Sequence, residues 1–318
     1  MDLSIHCSSP YPGFTKPASG YTLLKCPDIE NDIKQCQSLG KKIIISVVNL
    51  GSTTSMKNEQ DGENVANMIW NSFLGGSGNR PFGSAILDGV DLWNRDNQKI
   101  GYLSLVNKLR ALMNADSSRK YLLTASARCS YPEPTFGPQV AGLPFTEVPK
   151  SFDYISFHAM STPECTFQNK DLFYQTFEKW SDWAHPLGIP IYVGLPASIS
   201  NGAPGDYITV GNLGSALSRL SNLTSFSGIT LWEFSADYQN LPCSNTKELS
   251  YGQIIYQMMS EKKYTITCTE VETTNTRSKP RSTTNSGNGI PSSALETSRF
   301  SYSISELAFS FFIVAFLK

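Results

Sequence analysis

Asp88-Gly89-Val90-Asp91-Leu92-Trp93-Asn94-Arg95 is the stretch on which the fold turns. In an extended chain the side chains at i, i+2 and i+4 share one face. Residues 91, 93 and 95 therefore point together, and Asp96, of opposite parity, faces the other way. If the strand belongs to a barrel, the first set points inside, at the end where active sites are built.

Working outward, six apolar runs read as strands: residues 43–48, 84–92, 120–125, 152–158, 190–195 and 228–234. Segments of helical periodicity are expected after each of the first five. Val65, Met68, Ile69 and Phe73 form one stripe. Tyr102, Leu105, Val106, Leu109, Leu112 and Met113 form a second, and Phe173, Phe177 and Trp180 a third. Alternating strand and helix predicts an α/β fold, a parallel sheet with helices outside. A complete TIM barrel has eight strands, and six are found here. The chain has 318 residues, 40% of them hydrophobic, enough for one large core. A net charge of −1 argues against a nucleic-acid partner.

The eight residues resemble the signature strand of glycoside hydrolase family 18 chitinases, D-G-x-D-x-D-x-E. The resemblance is closest to the fungal, hevamine-like (class III) branch and covers roughly residues 3–262. It also rests on Cys36-Gln37-Ser38-Leu39-Gly40-Lys41-Lys42, Arg80-Pro81-Phe82-Gly83-Ser84-Ala85 and Ser130-Tyr131-Pro132-Glu133-Pro134. Gly194-Leu195-Pro196-Ala197 and Gly228-Ile229-Thr230-Leu231-Trp232 complete it. The resemblance implies a TIM barrel, incomplete in this chain with six of eight strands and the family's first two missing, acting on chitin or chitooligosaccharides without cofactor or metal. In that family a glutamic acid protonates the leaving oxygen. The aspartate two residues before it holds the substrate's acetamido group, which itself serves as nucleophile.

Set against the pattern, Trp93 stands at the aspartate and Arg95 at the glutamate. A guanidinium stays charged near neutral pH and has no proton to give. Trp93 brings bulk and no charge, and is expected to fill the vacated subsite; Arg95 is expected to pair with an interior carboxylate. The family's S-x-G-G strand reads Ser46-Val47-Val48-Asn49, and its Q-F-Y-N strand reads Ser156-Phe157-His158-Ala159. His158 thus stands at the tyrosine that assists the intermediate, and is expected to line the barrel as a structural residue. Among the degenerate positions Asp91, Trp93, Arg95, Ser156 and His158, no intact catalytic set remains. Trp232, the floor under the reacting sugar, keeps its identity. Glu233 follows it with outward parity and is a poor candidate for a replacement acid.

Seven cysteines point to an oxidising compartment. The family pattern implies pairing of Cys7 with Cys26 and of Cys129 with Cys165. Cys243 and Cys268 have no family counterpart and are candidates to pair with each other, leaving Cys36 as the odd thiol. No Cys/His spacing resembles a zinc site.

The chain divides into a barrel domain over 1–268, a Ser/Thr-rich stalk without regular structure over 269–303, and an apolar tail over 304–318. The run Leu307–Leu317 is too short for a bilayer, which takes about 20 residues. With a small-residue site and a polar spacer before it, the tail reads as a GPI-anchor signal attached at Ser286 or Ser292. Asn222-Leu223-Thr224 is a glycosylation sequon. Met1 resembles an internal position just after the family's second strand, with no signal peptide in front. Two readings follow: the start is internal to a longer protein, or the gene is truncated. The expected function is that of a monomeric, GPI-anchored chitinase-like protein of a fungal-type cell surface or wall, without hydrolysis and with residual binding of N-acetylglucosamine polymers. The alternatives are an active endochitinase with a relocated acid, and a non-functional remnant.

Overall fold

The structure is a computed structural model that describes residues 9–10, 24–49, 56–94, 99–132, 145, 147–245 and 249–270. Arg95, Asp96, Cys7, Ser286, Ser292, the stalk beyond Glu270 and the apolar tail lie outside the described residues. A two-residue antiparallel pair, β1 (Ser9–Pro10) and β2 (Leu24–Lys25), precedes α1 (Glu30–Ser38). Then come β3 (Ile44–Asn49), α2 (Glu59–Phe73), β4 (Gly89–Asn94), α3 (Tyr102–Ala115), β5 (Leu122–Arg128) and β6 (Tyr154–His158). They are followed by α4 (Lys170–Ala184), β7 (Ile191–Pro196), α5 (Val210–Leu220), β8 (Phe226–Trp232), α6 (Phe234–Gln239) and α7 (Tyr251–Ser260).

β3 to β8 form one six-stranded sheet in sequential order, with every neighbouring pair parallel. Among the described residues these are six of the eight strands of a TIM barrel, with β3 and β8 at the edges of the sheet. Alternation sorts the side chains into two cores. Outward-facing Val90, Leu92, Leu123, Ala125, Ile155, Phe157, Val193 and Leu195 join the helices in the large core. Inward-facing Ile44, Tyr154 and Tyr192 form a smaller one, with Leu122 and Trp232 packed against it. In the outer layer, buried Trp180 of α4 stacks on Phe157 at 4.0 Å between ring centroids and donates its Nε1–H to the Cys129 carbonyl at 2.7 Å.

Helix starts carry their signals. Asn58 accepts from the Asp61 amide at the head of α2, and Asn169 from that of Leu172 at the head of α4. Ser250 and Gln253 make a reciprocal capping box on α7. Gly62 of α2 lies against the head of α3, where an added Cβ would sit 2.0 Å from the Gly101 carbonyl oxygen.

Two expectations need correction. The run 84–92 begins its strand only at Gly89. Ahead of it, the Arg80 guanidinium gathers the carbonyls of Leu74 and Ala85 at 2.8 Å and of Phe73 at 3.1 Å, holding buried Ala85 and Leu87 in an irregular segment that follows the turn at 81–84. The run 228–234 is instead Phe226–Trp232, because Phe234 opens α6. Between β5 and β6 most of the connecting segment lies outside the described residues, which hold there a single 3-10 turn at Pro149–Ser151.

After α7 the chain turns back as a strap over residues 261–270. Tyr264 donates its hydroxyl hydrogen to Ser221 Oγ at 2.8 Å, past the foot of α5. Its backbone crosses Gly214 so closely that a Cβ there would lie 1.9 Å from the Tyr264 oxygen. Higher up, Cys268 is bonded to Cys243, with their Cα atoms 5.2 Å apart. The amide of Gly211, at the head of α5, donates to Glu270 Oε1. The strap therefore climbs the full length of α5 from the base of the barrel to its mouth.

Candidate functional site

The residues singled out on β4, β6 and β8 meet inside the barrel. Asp91 and Trp93 share the inner face of β4, Ser156 and His158 that of β6, and Thr230 and Trp232 that of β8. They lie in two layers.

In the lower layer Asp91 is 2% exposed. It accepts a hydrogen bond from Ser46 Oγ at 2.9 Å and another from Thr124 Oγ1 at 2.9 Å. Burial pushes the Asp91 carboxyl above the usual range, and the two hydroxyl donors only partly oppose it. Ser156 and Thr230 exchange a 2.7 Å hydroxyl–hydroxyl bond across the same layer. Below it, burial pushes the phenol of Tyr154 well above its ordinary value, with the neighbouring Asp91 charge adding to the shift.

The upper layer is aromatic. The Trp93 ring stands edge-to-face on His158 at 4.8 Å and on Trp232 at 5.9 Å. Such contacts suit the quadrupoles of the rings. His158 is 8% exposed and Trp93 is half-buried. Trp93 thus occupies the space between β6 and β8 at the mouth and lies directly above Asp91. Among the described inner-face residues, Asp91 is the one carboxylate.

The first aspartate of the signature stretch has a different task. Asp88 is buried at the base, where its carboxylate accepts from the Ile43 amide at 2.9 Å, Gln37 Nε2 at 2.8 Å and Lys42 Nζ at 3.2 Å. It ties β3, β4 and α1 together and needs no catalytic explanation.

Of the disulfides expected, Cys129–Cys165 is present, with Cα atoms 6.0 Å apart. Cys26 is disulfide-bonded, and Cys7 lies outside the described residues. Cys36 is the free thiol, pushed up chiefly by burial. Asn222 is exposed in the turn between α5 and β8, where a glycan could attach. Glu233 follows the end of β8, accepts from Ser235 Oγ and lines an open cleft with Ser198, Asn201, Tyr207 and Glu270. This cleft was not legible in the sequence, since Glu270 falls in the stretch assigned to the stalk.

No family model matches the chain. Individual relatives do. It is 32% identical over 235 residues to an endochitinase 3 of Metarhizium anisopliae, covering 72% of this chain and 74% of that protein. It is 29% identical over 256 residues to an endochitinase of Saccharomyces cerevisiae, covering 78% of this chain. It spans 42% of the length of that yeast protein. Among solved structures, a chitinase from Ipomoea carnea superposes with a TM-score of 0.56 at 26% identity, over 65% of this chain and 74% of the plant protein. The parallel strands, Asp91 of the DGxD stretch on the inner face of β4 and these matches lead to one assignment: the chain belongs to glycoside hydrolase family 18, the chitinase family.

Proposed function

We propose that this chain is a chitinase-like protein that does not hydrolyse chitin and keeps at most a binding or structural role toward N-acetylglucosamine polymers at a cell surface or wall. The observation that carries the reading is the Trp93 ring, wedged 4.8 Å from His158 and 5.9 Å from Trp232 over the one inner-face carboxylate described. A sugar seated on Trp232 needs the volume that Trp93 fills. An acid must also reach the glycosidic oxygen, within about 3 Å. Asp91 is sealed below the aromatic layer, and Arg95 has no proton to give. A relocated acid at Glu233 is disfavoured, because that carboxylate faces the outer cleft. The Ser/Thr-rich stalk and the apolar tail support attachment through a GPI anchor, with Ser286 or Ser292 as the site.

The test is incubation of purified full-length protein with chitin and with N-acetylglucosamine hexamer. Product should not exceed that of a heat-killed control. Positioned acid catalysis contributes about 100- to 10,000-fold, so turnover above that control overturns the reading. Release of the protein from cells by a phospholipase specific for GPI anchors tests the attachment.

A further inference from the structure

A cleft of about 500 Å³ opens on the mouth side of the barrel, outside the aromatic layer. Its walls are the segment after β7, the head of α5, α6 with the residues that follow it, and the end of the strap. The volume lies within the roughly 300–1,000 Å³ usual for small-molecule sites. The walls are fixed before any ligand arrives. Asn240 Nδ2 donates to the Ala197 carbonyl at 2.7 Å and to Tyr207 Oη at 3.0 Å. Tyr207 packs on buried Tyr251 with ring centroids 4.8 Å apart, and the Cys243–Cys268 bond holds the strap in place.

The lining has a definite chemistry. Among the described residues it contains two carboxylates, Glu233 and Glu270, and no lysine, arginine or histidine. Each carboxylate spends one oxygen on a local donor, Ser235 Oγ for Glu233 and the Gly211 amide for Glu270. The second oxygen of each accepts no hydrogen bond from the described residues. Since Glu270 already occupies the head of α5, that helix end does not serve an incoming anion. Ser198, Asn201 and Gln239 add neutral donors and acceptors to the lining, and Ile199 and Leu241 present apolar surface that is about half exposed.

We propose that this cleft is a second carbohydrate site and that it takes a sugar bearing a free amine, a glucosamine unit rather than an N-acetylglucosamine unit. An ammonium group brings three donors and a positive charge and pairs with carboxylates by charge-assisted hydrogen bonds. An acetamido group brings neither the charge nor the extra donors, and leaves two carboxylate oxygens facing a methyl group. The hydroxyls of a sugar ring meet the serine and amide side chains, and its C–H face meets Ile199 and Leu241. This site is independent of the loss of hydrolysis, which concerns the barrel interior, so either proposal fails without the other.

The experiment is calorimetric titration of the full chain with a glucosamine tetramer and with the N-acetylglucosamine tetramer, at a pH where the amine is protonated, in low and in moderate salt. The glucosamine tetramer should bind at least tenfold more tightly, and salt should weaken it. The double variant Glu233→Gln with Glu270→Gln keeps both acceptors for Ser235 and Gly211, and should lose at least tenfold of that binding with an unchanged Tm. Equal affinity for the two tetramers, no binding of the glucosamine tetramer, or an unaffected double variant would overturn the proposal. So would tighter binding of a lysine tetrapeptide, which would make the site one for basic peptides. The comparison of the two tetramers needs no variant and holds even if the substitutions disturb folding.

Discussion

Replacing Trp93 by alanine removes the centre of the upper aromatic layer. Truncating a fully buried phenylalanine or tryptophan costs about 3–5 kcal/mol. Trp93 is half-buried, so a cost below that range, about 2–3 kcal/mol, applies once the exposed share is discounted. The edge-to-face contacts with His158 and Trp232 are part of that cost, at about 0.5–1.5 kcal/mol each. Urea unfolding of the native chain and Trp93→Ala should therefore show the midpoint falling at unchanged slope. The double-mutant cycle of Trp93→Ala with His158→Ala should return a coupling of about 0.5–1.5 kcal/mol. A stability of about 5–15 kcal/mol, normal for a domain, leaves the variant folded. A total cost within about 0.5 kcal/mol, the range of surface substitutions, or no coupling to His158, would refute the account of Trp93 as the residue that fills the vacated subsite.

Restoring the family residues by Trp93→Asp with Arg95→Glu should not bring back family-level chitinase activity, because His158 and Ser156 still differ and effects within a catalytic unit are not additive; robust product release in a reducing-end assay would show the rest of the site to be intact. Asp91→Asn should grow more stable relative to the native chain as pH rises. The folded-state pKa of Asp91 is raised, so the folded chain binds the extra proton between the unfolded and folded values, and stability drains away as pH climbs through that window. Paired thermal melts from pH 4 to pH 8 check this, and a constant gap contradicts it. Gly214→Ala should cost about 1–3 kcal/mol and loosen the strap, read as a lower thermal midpoint; a melt that matches the native one would contradict the close crossing. Removing the Cys129–Cys165 bond, which spans 36 residues, should cost up to about 4 kcal/mol by loop entropy, and a melt of Cys129→Ser with Cys165→Ser that matches the native one would contradict it.

Period-two alternation carried most of the fold. It placed Asp91, Trp93, Ser156, His158 and Trp232 on one face, because strand parity is local and survives any tertiary context. It could not give partners. That Trp93 leans on both His158 and Trp232 depends on how β4, β6 and β8 converge across the barrel, which no single strand encodes. Where local pattern failed, a side-chain contact to the backbone had overruled it. Ala85, Ile86 and Leu87 look like strand, but Arg80 holds their segment in an irregular path through backbone carbonyls. Glu270 was hidden for a related reason. Composition assigns it to the Ser/Thr-rich stretch, whereas the neighbouring Cys268, bonded to Cys243, and the Gly211 amide place it against the barrel.

The strap also fixes a mechanical polarity. A tether attached downstream of Glu270 would pull from the rim of the mouth, since that residue meets the chain at the head of α5. The first covalent link that such a force meets is the bridge from Cys268 to Cys243. Tension would pass through it to the segment after α6, bypassing residues 261–267, so the stretch lying along α5 would carry no load and would not peel. Under tension the open mouth would turn toward the anchoring surface, and Asn222, exposed at the opposite pole, would turn outward. Reduction of this one bond would reroute the same pull into unzipping the strap from α5, converting a shear-loaded clamp into a line of contacts that open one at a time.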